Sequence, residues 1–180
     1  MVWLIMMRDR RRRFLLMFEV VALATSAVAL SGCSAAGPAA PASRARAYSS
    51  VKACLLTGAQ GVAGSPATQV WAGMQDASLQ THAQVSYLAV SGPATKANAL
   101  PFLGSLLVEH CNVVIASGSA EQAAALADAA KFPAVRFVMA GLAGDGPVGG
   151  SNVSAVSAGP SGGLRGAVAA AVAADLSSGS

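Results

Sequence analysis

The chain has 180 residues, of which 54% are hydrophobic and only 11% are charged, with a mean hydropathy of +0.54 and a net charge of +4. The one long apolar run lies at the N-terminus, and the other hydrophobic residues are mostly Ala and Val within Gly- and Ser-rich stretches. This composition excludes a membrane protein of several spans and favours an α/β domain behind an N-terminal leader.

The positive charge is concentrated in the leader. Five of the twelve basic residues and two of the eight acidic ones lie within the first 19 residues, which leaves a net charge of about +1 for the rest of the chain. Nucleic-acid binding requires a basic patch or stripe. We therefore expect no nucleic-acid partner.

Residues 1–32 have the parts of a signal peptide. Four arginines, Arg10 to Arg13, precede an apolar segment from Phe14 to Leu30, which leads into Leu-Ser-Gly-Cys at residues 30–33. These four residues resemble the lipobox of bacterial lipoproteins, in which the cysteine receives a diacylglycerol. The resemblance implies cleavage before Cys33, export, and lipid anchoring of Cys33 to the outer face of the cytoplasmic membrane.

Two features of the leader leave alternatives open. Glu19 interrupts the apolar segment, so an uncleaved anchor with an incidental Cys33 is the alternative to a lipoprotein. The stretch Arg11-Arg12-Arg13-Phe14-Leu15 also resembles a twin-arginine signal, so both export routes stay open. Residues 33–50 are rich in Ala, Pro and Ser and are predicted to be a flexible tether, and residues 51–180 a single domain.

Short apolar segments alternate with helical patterns from Val51 onward. This alternation predicts a doubly wound, flavodoxin-like α/β fold with a five-stranded parallel sheet, and the Gly-rich segment 140–151 is predicted to be irregular. The predicted strands are 53–57, 84–90, 112–116, 134–139 and 152–156. The predicted helices are 68–80, 95–109, 120–131 and 163–176.

Small residues follow the predicted strands at the edge where such folds bind ligands. Backbone N–H groups at this edge could hold polar groups of a ligand. The alternative is that Gly and Ser serve only the tight turns between strands and helices. The candidate ligand-binding residues at this edge are Gly58, Ala59, Gln60, Ser117, Gly118, Ser119 and Gly141.

Six segments between residues 52 and 174 resemble, in their order and spacing, the N-terminal lobe of the basic membrane protein family. They are KACLLT at 52–57, QVWAGM at 69–74, LLVEHCNVVI at 106–115, FPAVRF at 132–137, NVSAV at 152–156 and GGLRGAVA at 162–169. Members of this family are substrate-binding lipoproteins of ABC importers, and several bind nucleosides. The resemblance implies one lobe of a type I periplasmic-binding-protein fold, a small nucleoside-like or other solute, and an ABC permease as partner.

The chain departs from the family pattern in two respects. Gly58 stands where family members carry an Asp, and Ser65-Pro66-Ala67 stands where they carry Ser-Phe-Asn, so Ser65 alone is kept as a ligand-binding candidate. The family also has two lobes, whereas we expect one here. Either this is a truncated relative, or another chain supplies the second wall. Both departures imply weak or altered ligand binding.

No enzyme signature is present. His82 and His110 lie in different predicted loops, and the Gly-rich stretch 141–150 lacks the Lys-Ser/Thr of a phosphate-binding loop. We therefore expect no catalytic activity, no metal and no cofactor. The alternative to solute binding is a lipoprotein that binds a protein partner at the cell surface.

Cys54 and Cys111 are predicted to form a disulfide. Lipid on Cys33 leaves an even pair, and export places that pair in an oxidising compartment. The two cysteines belong to predicted strands one and three, which are neighbours in a doubly wound sheet. The alternative is a pair of buried free thiols.

Overall fold

Four strands carry apolar side chains at nearly every position, which is typical of parallel sheets covered by helices on both faces. The computed structural model describes residues 47–142, 146–158 and 163–178. The strands are β1 (Lys52–Thr57), β2 (Gln84–Ala89), β3 (Val113–Ser117), β4 (Arg136–Ala140), β5 (Gly146–Pro147) and β6 (Val153–Val156). The helices are α1 (Ala67–Thr81), α2 (Lys96–Val108), α3 (Ser119–Asp128) and α4 (Gly163–Ser178), with 3-10 turns at Gly61–Ala63 and Ala129–Lys131.

The sheet has the strand order β2-β1-β3-β4-β6-β5. All neighbouring pairs are parallel except β5 with β6, which is antiparallel. The five parallel strands are those predicted, but the predicted total of five is wrong, because β5 lies inside segment 140–151. A strand of only two residues, Gly146 and Pro147, shows no alternation of hydrophobic and polar residues. Only its pairing with β6 identifies it as a strand.

Helices cover the two faces of the sheet in pairs. Successive side chains of a strand point to opposite faces, so Cys54 and Leu56 of β1 join the core beneath α2 and α3, while Ala53 and Leu55 join the core beneath α1 and α4. The element boundaries lie within two residues of the prediction except at the end of α3, where residues 129–131 form the 3-10 turn.

A bidentate salt bridge joins α1 to α4. Arg165 donates from Nε to Oδ2 of Asp76 at 2.6 Å and from Nη2 to Oδ1 at 2.8 Å. These hydrogen bonds, assisted by the guanidinium charge, lower the pKa of the Asp76 carboxyl below its ordinary value. The salt bridge fixes one helix against the other near Gly73, where a Cβ would collide with the Arg165 carbonyl.

The structure contains the predicted disulfide between Cys54 and Cys111, with Cα atoms 5.9 Å apart. The cysteines are not register partners, because Cys54 lies opposite Val114, three residues beyond Cys111. Both cysteines instead belong to the core beneath α2 and α3. The disulfide therefore fastens the turn between α2 and β3 to the face of β1, which the neighbouring-strand argument did not anticipate.

The leader 1–32, Cys33 and the tether up to residue 46 lie outside the described residues. At the end of the predicted tether, the Ser49 N–H donates to the His82 carbonyl at 2.8 Å, so backbone contact with the domain starts just before residue 51. Among the helices that the structure describes, none combines the length and the apolar character needed to span a bilayer.

Candidate functional site

Three central strands end side by side, and a glycine follows each of them. Thr57 of β1 lies in register with Ser117 of β3, which in turn lies in register with Ala140 of β4. The next residues are Gly58, Gly118 and Gly141. The structure thus brings these three predicted ligand-binding glycines to one edge, the carboxyl edge of the parallel sheet.

A carboxylate that the sequence analysis did not select lies between two of these glycines. Glu121 is the third residue of α3, and only 4% of it is exposed. A Cβ built on Gly118 would collide with Glu121 Oε2, and one built on Gly58 would lie 3.8 Å from Oε1. The side chain of Glu121 therefore occupies space that the two missing side chains leave open.

Neither carboxylate oxygen of Glu121 has a hydrogen-bond or ion-pair partner within residues 47–142, 146–158 and 163–178. Gly118 caps the N-terminus of α3 with a φ of 120° and no side-chain cap. The positive end of the helix dipole stabilises an anion here, which accounts for an acidic residue in the first helical turn. It supplies only about half a unit of opposing charge.

Ser117 contributes a second polar group without a partner. Its Oγ is fully buried and makes no hydrogen bond within the described part of the chain. Ser117 is two residues beyond Ile115, so its side chain points toward α1 and α4, whereas Glu121 belongs to the helix on the opposite face. The strand-end edge therefore carries one unsatisfied polar side chain on each side of β3.

The remaining predicted residues lie along the rim of this edge. Ala59, Gln60, Ser65 and Ser119 are exposed. The Gln60 side chain lies against Gly64, and the Thr57 hydroxyl donates to the Gly61 carbonyl at 3.4 Å, so the loop after β1 is held by contacts within itself.

Gly141 brings the end of β4 close to the start of α1. It has a φ of 88°, and a Cβ built on it would lie 3.6 Å from Pro66 Cγ. Gln122, which follows Glu121, donates from Nε2 to the Ala140 carbonyl at 2.9 Å and so ties α3 to the same strand end. This contact restrains the first turn of α3, on which Glu121 stands.

Glu121 was missed because the sequence shows it only as one acidic residue in an Ala-rich helix. The available signal was its place three residues after Gly118, where acidic residues favour a helix start. The sequence gives no sign that the carboxylate is buried, since that depends on Gly58, a residue 63 positions earlier in the chain.

The edge is a hydrogen-bonding surface with little charge besides Glu121. Segments 58–66, 90–95 and 117–119 contain no charged residue. The polar groups at this edge are the Glu121 carboxylate, the buried Ser117 hydroxyl and the N–H groups of the first turn of α3. Such a set can hold a small polar molecule by hydrogen bonds.

Comparison with known proteins supports the fold alone. No protein-family model matches the chain, and no curated protein matches it by sequence, so the basic membrane protein family finds no support there. Among solved structures, the chain is similar to a fragment from Peptoclostridium difficile 630 assigned as a lipoprotein, at a TM-score of 0.55 and 12% identity. The similarity covers 70% of this chain and 98% of that one.

Proposed function

We propose that this protein is an exported lipoprotein, anchored by lipid on Cys33 to the outer face of the cytoplasmic membrane, and that its domain binds a small solute. The observation that carries the proposal is the order of arginines, apolar segment and Leu-Ser-Gly-Cys that ends at Cys33. The lipoprotein assignment of a structure with a similar fold agrees with it.

Solute binding is proposed for the edge formed by Gly58, Gly118 and Gly141. Ligands of doubly wound folds bind at the carboxyl ends of the strands, and Glu121 and Ser117 offer unsatisfied polar groups there. A single lobe buries a ligand on one side only, so we expect weak affinity unless another chain supplies the second wall. The resemblance to basic membrane proteins extends the proposal to delivery of the solute to an ABC permease.

Lipidation is tested by replacing Cys33 with Ala in the full chain. Cells are grown with an alkyne-bearing fatty acid, and the protein is isolated and analysed for the label and for its N-terminal mass. We expect the label and a mature N-terminus at Cys33 in the wild type, and neither in Cys33→Ala. The matched control, Cys54→Ala with Cys111→Ala, should keep the label. An unlabelled wild type with an intact leader would contradict the proposal.

One observation favours the alternative of a protein partner. Strand β2 forms an edge of the sheet and has a single neighbour, β1, among the described strands. Tyr87 on this strand is 48% exposed and contacts Trp71 edge to face, with ring centroids 5.3 Å apart. An exposed edge with aromatic side chains can pair with another chain.

In-cell crosslinking distinguishes the two functions. Tyr87 is replaced by a photoreactive phenylalanine analogue, and a specific protein adduct favours the alternative.

A further inference from the structure

We propose that the Glu121 carboxylate binds a cationic nitrogen of the solute, an ammonium or guanidinium group, between the ends of β1 and β3. The inference rests on the proposed solute binding at this edge and specifies its chemistry. Its basis is Glu121, a residue only 4% exposed, whose carboxylate has no partner among the described residues and lies against two glycines.

The charge balance favours a cation. An ionised carboxylate removed from water needs hydrogen-bond donors and an opposite charge. The start of α3 offsets only part of the charge, and the nearby loop segments 58–66, 90–95 and 117–119 bring no Lys or Arg. Lys96, which begins α2 after the second of these segments, is exposed and forms no ion pair with Glu121 among the described residues. A ligand ammonium or guanidinium supplies both the charge and the N–H donors.

The same geometry argues against an anionic ligand. The N-terminus of a helix is ordinarily a binding site for phosphate or carboxylate groups. At α3 that position already holds Glu121, because the carboxylate lies beside Gly118, the residue that caps the helix. A second anion would be repelled there. A neutral hydroxyl could also donate a hydrogen bond to the carboxylate, but it would leave the negative charge uncompensated.

The two glycines give the Glu121 carboxylate its place between the ends of β1 and β3. A side chain at residue 118 would overlap the carboxylate, and one at residue 58 would stand 3.8 Å from its other oxygen. With glycine at both positions, neither residue 58 nor residue 118 places a side chain against the carboxylate. On the opposite face of β3, the buried Ser117 hydroxyl is a second group without a partner at this strand end.

The test uses the full chain, labelled with ¹⁵N and purified in detergent micelles. It is titrated at constant ionic strength with n-propylammonium, guanidinium at low concentration, 1-propanol and propionate, while the amide signals of Gly58 and Gly118 are followed by NMR. Glu121→Gln removes the charge at nearly constant size, and Glu121→Asp keeps the charge but shortens the side chain. Glu109→Gln is the matched control, since it removes one carboxylate at the opposite edge of the sheet, where Glu109 pairs with Lys52.

We expect saturable shifts with the two cations, an apparent Kd at least about tenfold higher in Glu121→Gln, and an unchanged Kd in Glu109→Gln. Equal binding of 1-propanol or propionate would overturn the cation inference while leaving solute binding intact. Wild-type affinity in Glu121→Gln would also overturn it. If no probe shifts either glycine, both the inference and solute binding at this edge fail. Should Glu121→Gln not fold, Glu121→Asp and the preference of the wild type among the four probes decide.

Discussion

Single buried polar side chains have distinct roles in this domain. Asn152, which is 7% exposed, donates from Nδ2 to the carbonyls of Ala129 at 2.9 Å, Val135 at 3.0 Å and Phe132 at 3.1 Å. It thus holds the irregular segment between α3 and β4, in which the Ala129 and Phe132 carbonyls also accept backbone N–H groups. Glu121 is buried to a similar degree, but its carboxylate makes no hydrogen bond among the described residues. This difference distinguishes a structural polar residue from a candidate binding residue.

We expect Asn152→Ala to lower the free energy of unfolding by about 1–3 kcal/mol, because a buried amide and its hydrogen bonds to three carbonyls are lost. The measurement is urea unfolding followed by tryptophan fluorescence. Asn112→Ala is the control: Asn112 is exposed and its Oδ1 accepts one bond, from the Lys52 N–H, so the loss there should be clearly smaller. Equal losses in the two variants would contradict this role for Asn152.

Among the elements, helices α1 and α4 are packed closely enough to require a glycine. A Cβ on Gly73 of α1 would collide with the Arg165 carbonyl and lie 3.0 Å from Val168 Cβ. Both obstacles belong to α4, one of them to its backbone, so little can move aside. Gly104 of α2, by contrast, has open space around its Cβ position.

Alanine substitutions at these two glycines should therefore have effects of opposite sign. Gly73→Ala should destabilise the fold by about 1–3 kcal/mol through overpacking. Gly104→Ala should stabilise it by about 0.5–1 kcal/mol, because alanine loses less backbone entropy in a helix. Thermal and urea unfolding of both variants tests the pair. A neutral or stabilising Gly73→Ala would show that α1 and α4 are not in close contact.

For the whole molecule, the disulfide joins two regions that are far apart in the chain. Cys54 and Cys111 are separated by 57 residues, and the segment between them contains α1, β2 and α2. Closing a loop of this length restricts the unfolded chain, while both half-cystines remain buried in the folded one. The disulfide therefore contributes to the stability of the whole domain.

Replacing both cysteines with Ala should lower the free energy of unfolding by on the order of 4 kcal/mol. Reduction of the wild type should produce a similar loss, and the same reductant should leave the double variant unaffected. Peptide mapping after alkylation without reduction provides the covalent check. Alkylated Cys54 and Cys111 in the exported protein would rule out the bridge.

More of the fold than of the site could be predicted from the sequence, and the reason is physical. Strands and helices follow from hydrophobic periods that are local in sequence, so all four helices and the five parallel strands could be predicted. Strand β5 could not, because Gly146 and Pro147 have no such period and pair only where β6 is already in place. The edge glycines 58, 118 and 141 could be predicted because parallel strands end at a common edge.

The sequence by itself determined the class of fold, the likeness of residues 1–33 to a lipoprotein leader, and the pairing of Cys54 with Cys111. Only the tertiary structure decided how that pair meets, across the face of β1 and not between register partners. It also decided that Glu121 is buried without a partner, since its surroundings come from the ends of two strands distant in the chain. Periodicity is a property of neighbours in sequence, whereas burial and unsatisfied charge are properties of neighbours in space.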